Sequence, residues 1–486
     1  MIFAAIDDIR RKCNQAGGRA AHQTALARKG ANVTGDQTID IPTFINIRKI
    51  GGFQLLVVAV CAITVFLDGF DVQSIAFVAP SIAAQWQVSR EVLGPIFVAS
   101  LVGVLCGALG FGPLADKIGR RPVIMGCTAV FGVLTLITAL SSNVTELIAL
   151  RFLAGLGLGG AMPNAIALTA EYSPQRRRAT MIMIMFAGFS LGAAIGGALA
   201  AALIPHFGWR SVWYLGGALP LLLLPAQYHY LPESLRFLVI SNSPDERITV
   251  LVQRIDPSFQ IKPGTRFDIG EHRAAGVPVR YLFDAGRGAG TILLWIMFFM
   301  NLLDLFFLQN WIPIISNDAG VPVQTAVMIA SVFQFGGVVA TLLVGFPFDR
   351  IGGYAVLPLL YVLGSLFVVL LGQAGPSVPL LFLLTFGAGF CVVGAQISAN
   401  AHAAIFYPTQ IRSTGVGWCL GIGRLGAILG PLIAGYLLGL HWAHSSLFLV
   451  LAFPLTCAAA AVLTMGRIYR RRTASLAEEG MVAPVD

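Results

Sequence analysis

The sequence predicts an all-α integral membrane protein, with twelve transmembrane helices in two pseudo-symmetric six-helix bundles. Three observations predict it. The 486 residues are 56% hydrophobic and only 11% charged, with mean hydropathy +0.79. A soluble chain of this length needs a larger charged shell around its core. Twelve stretches reach the roughly 20 apolar residues that a spanning helix requires: 53–80, 91–115, 121–141, 144–170, 179–204, 211–230, 291–316, 323–348, 354–373, 377–402, 412–439 and 445–466. Finally, the first six and the last six of these stretches carry matching motifs.

The longest polar interval, 231–290, separates the two sets of six. The expected organisation is a cytoplasmic tail over 1–52, a first bundle over 53–230, a cytoplasmic inter-bundle loop over 231–290, a second bundle over 291–466 and a cytoplasmic tail over 467–486. GPLADKIGRRPVI begins at Gly112 and GFPFDRIGGYAVL at Gly345, an offset of 233 that pairs Asp116 with Asp349, Lys117 with Arg350 and Gly119 with Gly352. Gly192 and Gly196 precede Gly426 and Gly430 by 234, and Asp68 precedes Asp304 by 236. Offsets that agree within three residues indicate a duplicated unit. Parallel repeats of this kind place a substrate site near the bilayer midplane between them.

Along the chain, residues 1–50 read as a mobile basic tail. MIFAAIDDIRRK meets acidic and basic residues too early for a cleavable signal peptide. If both termini are cytoplasmic, 28 of the 32 Lys and Arg fall on that side, only Arg90 and Arg210 fall outside, and Arg151 and Arg424 lie within spans. This split fixes the orientation by the positive-inside rule. The net charge of +9 is therefore a topology signal, and nucleic acid is not an expected partner; lipid is. Six of the seven cysteines lie in apolar segments with no close CxxC pair, which reads as small core residues. No disulfide, metal or cofactor is expected.

The charges inside the spans carry the functional argument. Asp68 and Asp71 lie three residues apart on one helical face. A carboxylate in the bilayer core is costly and commonly handles ions or protons; the structural alternative is a capped pair at a helix interface. Arg424 falls near the middle of the eleventh span, where an arginine costs at least about 2.5–3.5 kcal/mol to insert. It either pairs permanently with an acid such as Asp304 or grips a substrate carboxylate through its planar fork. Arg151, shallower in the fourth span, is placed where its side chain can snorkel outward. Asn164, Asn301, Asn310, Gln334, Gln396 and Asn400 are polar candidates that either hold helices together or line a cavity. Trp311, Trp418, Phe70 and Phe335 are candidates for stacking on an aromatic ring. Asp116, Arg120, Arg121, Glu171, Arg178, Asp349 and Arg350 cluster at the cytoplasmic helix ends. They are expected to form inter-bundle ion pairs when the inner gate closes.

The twelve spans, the loop DKIGRR and its weaker copy DRIGG resemble the major facilitator superfamily over about 53–466. RFLAGLGLGG, EYSPQRRR and LPESLRFL resemble elements of the same superfamily. LDGFDVQSIAFVAPSIA, GLGLGGAMPNAIALTAEYSPQRRRA and FYPTQIRSTGVGWCLGIGRLGAILGP are similar to the aromatic acid:proton symporter family. The resemblance implies import of a small aromatic carboxylate with protons across a bacterial inner membrane. It also implies coupling of Arg151 to the acids Asp68 and Asp71. Asp304 departs from the pattern, which has a neutral amide there.

The expected substrate-binding set is thus Arg424, Asp304, Gln334, Gln396, Asn400, Asn164 and Trp311. A sugar or polyol porter is an alternative, but a sugar needs no cation. A non-transporting sensor on the same scaffold is another. A membrane enzyme is not expected, since GLGLGG lies within a span rather than in a nucleotide-binding turn.

Overall fold

A computed structural model describes residues 38–241, 243–261, 265–269, 279–284, 286–408 and 411–478; the side chains of Ala179, Asp349, Arg412, Ser413 and 470–478 fall outside the description. After β1 (Thr38–Asp40) and α1 (Ile41–Ile47) come six long helices: α2 (Gly52–Trp86), α3 (Arg90–Ile118), α4 (Arg120–Thr138), α5 (Val144–Glu171), α6 (Arg178–Phe207) and α7 (Arg210–Tyr230). The connecting segment holds α8 (Leu235–Ile240), α9 (Asp245–Ile255) and β2 (Arg266–Asp268). The second set is α10 (Gly288–Asp318), α11 (Val323–Leu343), the short α12 (Gly345–Ile351), α13 (Gly353–Leu371), α14 (Val378–Phe406), α15 (Arg412–Gly439) and α16 (His444–Glu478).

Among the described residues, eleven helices are long and apolar enough to cross a membrane. The remaining long helix, α7, spans 21 residues but contains Pro220 and Pro225 and ends in Gln227-Tyr228-His229-Tyr230, which lowers its hydropathy. It packs along α4 and α2 within the first bundle.

The two sets of six repeat one packing scheme. In the first, α2 lies along α6 and α7, α3 along α5, and α4 along α5 and α7. In the second, α10 lies along α15 and α16, α11 along α14, and α13 along α14 and α16. Small residues permit these close backbone approaches. A Cβ on Gly192 would collide with the Phe66 carbonyl, and one on Gly426 with the Phe299 carbonyl. Likewise Gly155 abuts the Ser100 carbonyl and Gly389 the Phe333 carbonyl.

These equivalent contacts set the register of the repeat, and they correct one expectation. Phe66 corresponds to Phe299, so Asp71 is the counterpart of Asp304 and Asp68 is the counterpart of Asn301. The offset of 236 that joined Asp68 to Asp304 matched residue type one helical turn out of register.

A second correction concerns the N-terminal tail. It was expected to extend unstructured to residue 50, but the described part is ordered from Thr38. β1 pairs in parallel with β2, and Asp40 caps α1 by accepting from the Thr43 amide. Ile41, Phe44 and Ile45 recur at helical spacing and are buried against α8 and α9 residues. Arg48 bonds Asp256 at 2.6 Å. The hydroxyl of Ser258 and then Arg48 hold the Asp256 carboxyl below its usual range. A short amphipathic segment flanked by a basic, Gly-rich stretch is easily read as part of that stretch. Residues 1–37 lie outside the description.

We call the end of the molecule that carries this segment the basic face. The bundles meet in the half remote from it. Gly94 of α3 abuts Pro431 and Gly435 of α15, and Gly197 of α6 abuts Ser331 of α11. Gln73 of α2 donates to the Gln309 carbonyl of α10 at 2.8 Å. At the far end Arg90 of α3 bonds Asp318 of α10. Toward the basic face the same helices stand apart: a Cβ on Gly110 or Gly112 of α3, or on Gly417 or Gly421 of α15, would meet nothing within 4 Å. The cleft between the bundles therefore opens to the basic face and is shut at the other.

The Arg90–Asp318 pair joins the bundles at the shut end, with His444 of α16 3.8 Å from Asp318. Asp318→Asn should loosen that closure. Exposed ion pairs contribute about 0.2–1 kcal/mol, so the population open at this end should rise up to about fivefold. Spin labels at the exposed Gln87 and Leu440 would report it as a longer-distance component; an unchanged distance distribution counts against the latch.

Candidate functional site

The intramembrane charges converge at the middle of the fold. Asp68 is the 17th of 35 residues in α2, and Arg424 is the 13th of 28 in α15. Asp68 is buried and Arg424 half-buried. They belong to different bundles and face one another across the cleft, with their charges interacting and no direct hydrogen bond between them. Gly69 beside Asp68 allows α2 to press against the Phe189 carbonyl of α6.

Asp71, one turn further on, is held differently. Arg151 of α5 sets Nη1 3.2 Å from Oδ1 and Nη2 3.1 Å from Oδ2. The same Nη2 donates to the Asp71 backbone carbonyl at 3.1 Å. Thr135 of α4 donates to Oδ1 at 2.8 Å. Ser74 donates to the Asp71 carbonyl at 2.7 Å and accepts from Trp213 Nε1 at 2.9 Å. Asp71 and Arg151 are fully buried. Arg151 therefore turns inward to a carboxylate and does not snorkel. A buried pair needs such added donors to offset the cost of desolvation. The two first-span acids thus have distinct surroundings: Asp71 is locked into an ion pair, and Asp68 shares its field with Arg424 of the other bundle.

The second bundle supplies neutral polar groups. Asn301 donates to Gln396 Oε1 at 2.6 Å, and Gln396 donates to Asn400 Oδ1 at 3.3 Å. Gln396 and Asn400 are half-buried. Other expected binding residues serve packing here. Asn164 donates to the Gly160 carbonyl of its own helix at 2.8 Å. Trp311 is fully buried, donates to the Pro431 carbonyl at 3.2 Å and stands edge-on to Phe97 at 5.4 Å, within the closed half of the interface. Gln334 is buried in α11. Asp304 is fully buried and does not pair with Arg424, so the permanent Arg424–Asp304 pair considered from sequence is absent. Two cavities, of about 280 and 270 Å³, lie away from this centre, one beside His444 and Phe448, the other beside Ile41 and Arg236.

The residues expected to gate the basic face are gathered mainly within the first bundle. Arg120 bonds Glu171 at 2.8 Å, joining α4 to α5, and Glu171 accepts from the Ser234 hydroxyl. Arg178 lines the same 270 Å³ cavity, and Arg121 donates to the Tyr228 carbonyl. The motif LPESLRFL, unassigned by sequence, supplies the organiser. Glu233 accepts from the Arg120 amide at 2.8 Å and the Arg121 amide at 3.3 Å, so it caps α4. Gly119, at φ 101°, gives that carboxylate room, and Gly352, at φ 79°, keeps the same turn in the second half. Asp116 is exposed with no ion pair among the described residues. Arg350 lies 4.3 Å over the Phe346 ring, and the Asp349 side chain lies outside the description.

The sequence matches the Major Facilitator Superfamily over residues 61–254 and 294–485. The chain belongs to that superfamily. It is 42% identical over 434 residues to the 4-hydroxybenzoate transporter PcaK of Pseudomonas aeruginosa, covering 89% of this chain and 97% of the relative. It is 42% identical to a gallate transporter of Pseudomonas putida, covering 90% and 97%. With a benzoate transport protein of Acinetobacter baylyi it shares 33% identity, covering 86% and 90%. Among solved structures it resembles the inward-open xylose transporter XylE of E. coli, with TM-score 0.63, 17% identity and coverage of 84% and 95%. A bacterial homologue of the lysosomal transporter Spinster in an inward-facing conformation gives TM-score 0.61, 18% identity and coverage of 86% and 96%.

Arg151→Met leaves Asp71 buried without its cation, which should destabilise the protein by about 3–5 kcal/mol. Adding Asp71→Asn to Arg151→Met should recover part of that loss. Thermal unfolding in detergent measures both; no recovery in the double variant would contradict a dominant ion pair.

Proposed function

We propose that this chain is a secondary transporter that imports an aromatic carboxylic acid in symport with protons, by alternating access. The observation that carries the reading is the placement of Arg424 opposite Asp68 at mid-depth, on the two sides of the inter-bundle cleft. The names of the relatives supply the substrate class. With the basic face in the cytoplasm of a bacterial inner membrane, as the positive-inside rule assigns it, the conformation described is inward-open.

The charges suggest how proton and substrate are coupled. In the empty site Asp68 serves as counter-charge to Arg424. A proton taken up by Asp68 removes that counter-charge and leaves a cation at mid-depth, a costly state. A substrate carboxylate restores balance, and the guanidinium fork can donate two parallel N–H bonds to it. Gln396 and Asn400 take the role of meeting ring substituents. Asp71, fixed by Arg151, keeps the field around Asp68 constant through the cycle. Rocking of the bundles about their interface then exchanges the open face. Asp116, Asp349 and Arg350 are assigned to closure of the cytoplasmic side, with Arg120, Arg121, Glu171 and Arg178 holding the first bundle's end rigid.

Vesicles with an imposed pH gradient test the reading directly. Labelled 4-hydroxybenzoate, gallate or benzoate should accumulate, and xylose should not. Xylose accumulation without acid accumulation would replace this reading with the sugar-porter one. Asp68→Asn should abolish gradient-driven accumulation while sparing substrate exchange; full accumulation would remove Asp68 from coupling. Arg424→Lys keeps the charge and loses the fork. One charge-assisted hydrogen bond contributes about 1.5–3 kcal/mol, so affinity for the acid should fall at least about tenfold by direct binding measurement. Unchanged affinity in a well-expressed variant would exclude direct contact.

A further inference from the structure

The two bundles solve the same electrostatic problem differently. The register fixed by the packing contacts makes Asp304 the counterpart of Asp71. The same register places Thr385 where Arg151 stands, since Gly155 matches Gly389 and Phe152 matches Phe386 in equivalent contacts with α3 and α11. It places Val368 where Thr135 stands, since Phe131 against Gly157 matches Gly364 against Cys391. Both groups that hold the Asp71 carboxylate in the first bundle, a guanidinium and a hydroxyl, are therefore replaced around Asp304 by a shorter hydroxyl and a methyl-bearing side chain.

Asp304 is fully buried, and neither carboxyl oxygen has a hydrogen-bond partner among the described residues. The second bundle's other unpartnered buried polar atoms include the hydroxyls of Thr385 and Tyr361. Each of the helices around Asp304 carries few charges. Among the described side chains, α2 contributes Cys61, Asp68 and Asp71, α10 itself Asp318, α15 Cys419, Arg424 and Tyr436, α16 His444, Cys457, Arg467 and Tyr469, α14 Cys391 and His402, and α13 Tyr354 and Tyr361, while α11 has no titratable residue. Of these, the Tyr361 hydroxyl is the one near enough to interact with Asp304. No cation of the described chain neutralises this carboxyl. An ionised carboxylate in such surroundings is far more costly than the neutral acid.

We infer that Asp304 is a second proton-binding site, built into the core of the second bundle and occupied in the conformation described, where a bound proton does the work that Arg151 does in the first bundle. The site is separate from the Asp68–Arg424 centre and stands whether or not that centre transports an aromatic acid. The Tyr361 hydroxyl is nearby polar company for the acid proton and is the group that would shift if it left.

Infrared spectroscopy of the purified full-length protein tests this without any substrate. At about pH 8 the wild type should show the carbonyl stretch of a protonated carboxylic acid, shifted in D2O. That band should be missing in Asp304→Asn and retained in Arg151→Met and in Asp71→Asn. A spectrum of Asp304→Asn that still shows the full band would overturn the assignment. Should the amide variant fail to reach the membrane, Val368→Thr provides a second test. It returns the hydroxyl that Thr135 supplies in the first bundle, and hydrogen bonding should lower the frequency of the same band; an unmoved band would overturn the placement. Stability gives an independent reading. The unfolded Asp titrates near 3.9, so above that pH folding takes up one proton at this site, and stability falls as pH rises until the folded group ionises. The thermal midpoint should therefore drop between pH 6 and pH 9 more steeply in the wild type than in Asp304→Asn. Equal slopes would overturn the proposal.

Discussion

A charge at the centre of a bilayer must be neutralised where it stands, and this constraint orders the whole molecule. Water cannot reach the interior of a bundle to solvate it, and an unpaired ion there costs several kcal/mol. The three mid-depth carboxyls meet the constraint in three ways. Asp71 has a permanent guanidinium within its own bundle. Asp68 has one that belongs to the other bundle. Asp304 has none among the described residues. The first arrangement gives rigidity. The second ties electrostatic balance to the relative position of the two bundles.

The glycines make this geometry possible. Each bundle brings its central helix within backbone contact of its neighbour, at Gly192 on Phe66 and at Gly426 on Phe299. Side chains at those positions would push the helices apart and move Asp68 and Arg424 away from the cleft. The same economy appears between bundles, where Gly94 meets Gly435. There the backbones meet directly, beside the edge-on pair of Phe97 and Trp311. Within a bundle, Arg151, Thr135 and Arg120 knit helices with directional bonds.

Much of this was legible in the sequence because the bilayer imposes simple rules. Apolar length predicted the helices, Lys and Arg placement predicted a basic face, and repeated motifs predicted two halves. Asp68, Asp71, Arg151 and Arg424 stood out because charges are rare in apolar segments. What was not legible depended on register and on neutral groups. The Asp68–Asp304 correspondence failed because residue identity was weighed above backbone contact, and a helix tolerates a one-turn slip in such a comparison. Thr135 and Ser74 were missed since hydroxyl residues are common in any span and carry no signal of their own. The helix Ile41–Ile47 was missed because seven residues give too little periodicity. Glu233 was noticed only as part of a motif; its task as the cap of α4 depends on a chain reversal more than a hundred residues long. Of the expected gate residues, Arg120 and Glu171 pair inside one bundle, which no spacing rule reveals.

The facing of Asp68 and Arg424 has a consequence for the membrane voltage. A site that trades its internal carboxylate for a protonated carboxyl plus a bound anion keeps the same net charge before and after loading. Both crossings of such a site are insensitive to potential, whereas each uncompensated elementary charge would feel about 2.3 kcal/mol per 100 mV. On that account one proton per anion would leave the voltage untouched as a driving force. Any sensitivity of the turnover to voltage would have to arise from a further charge elsewhere in the moving bundles.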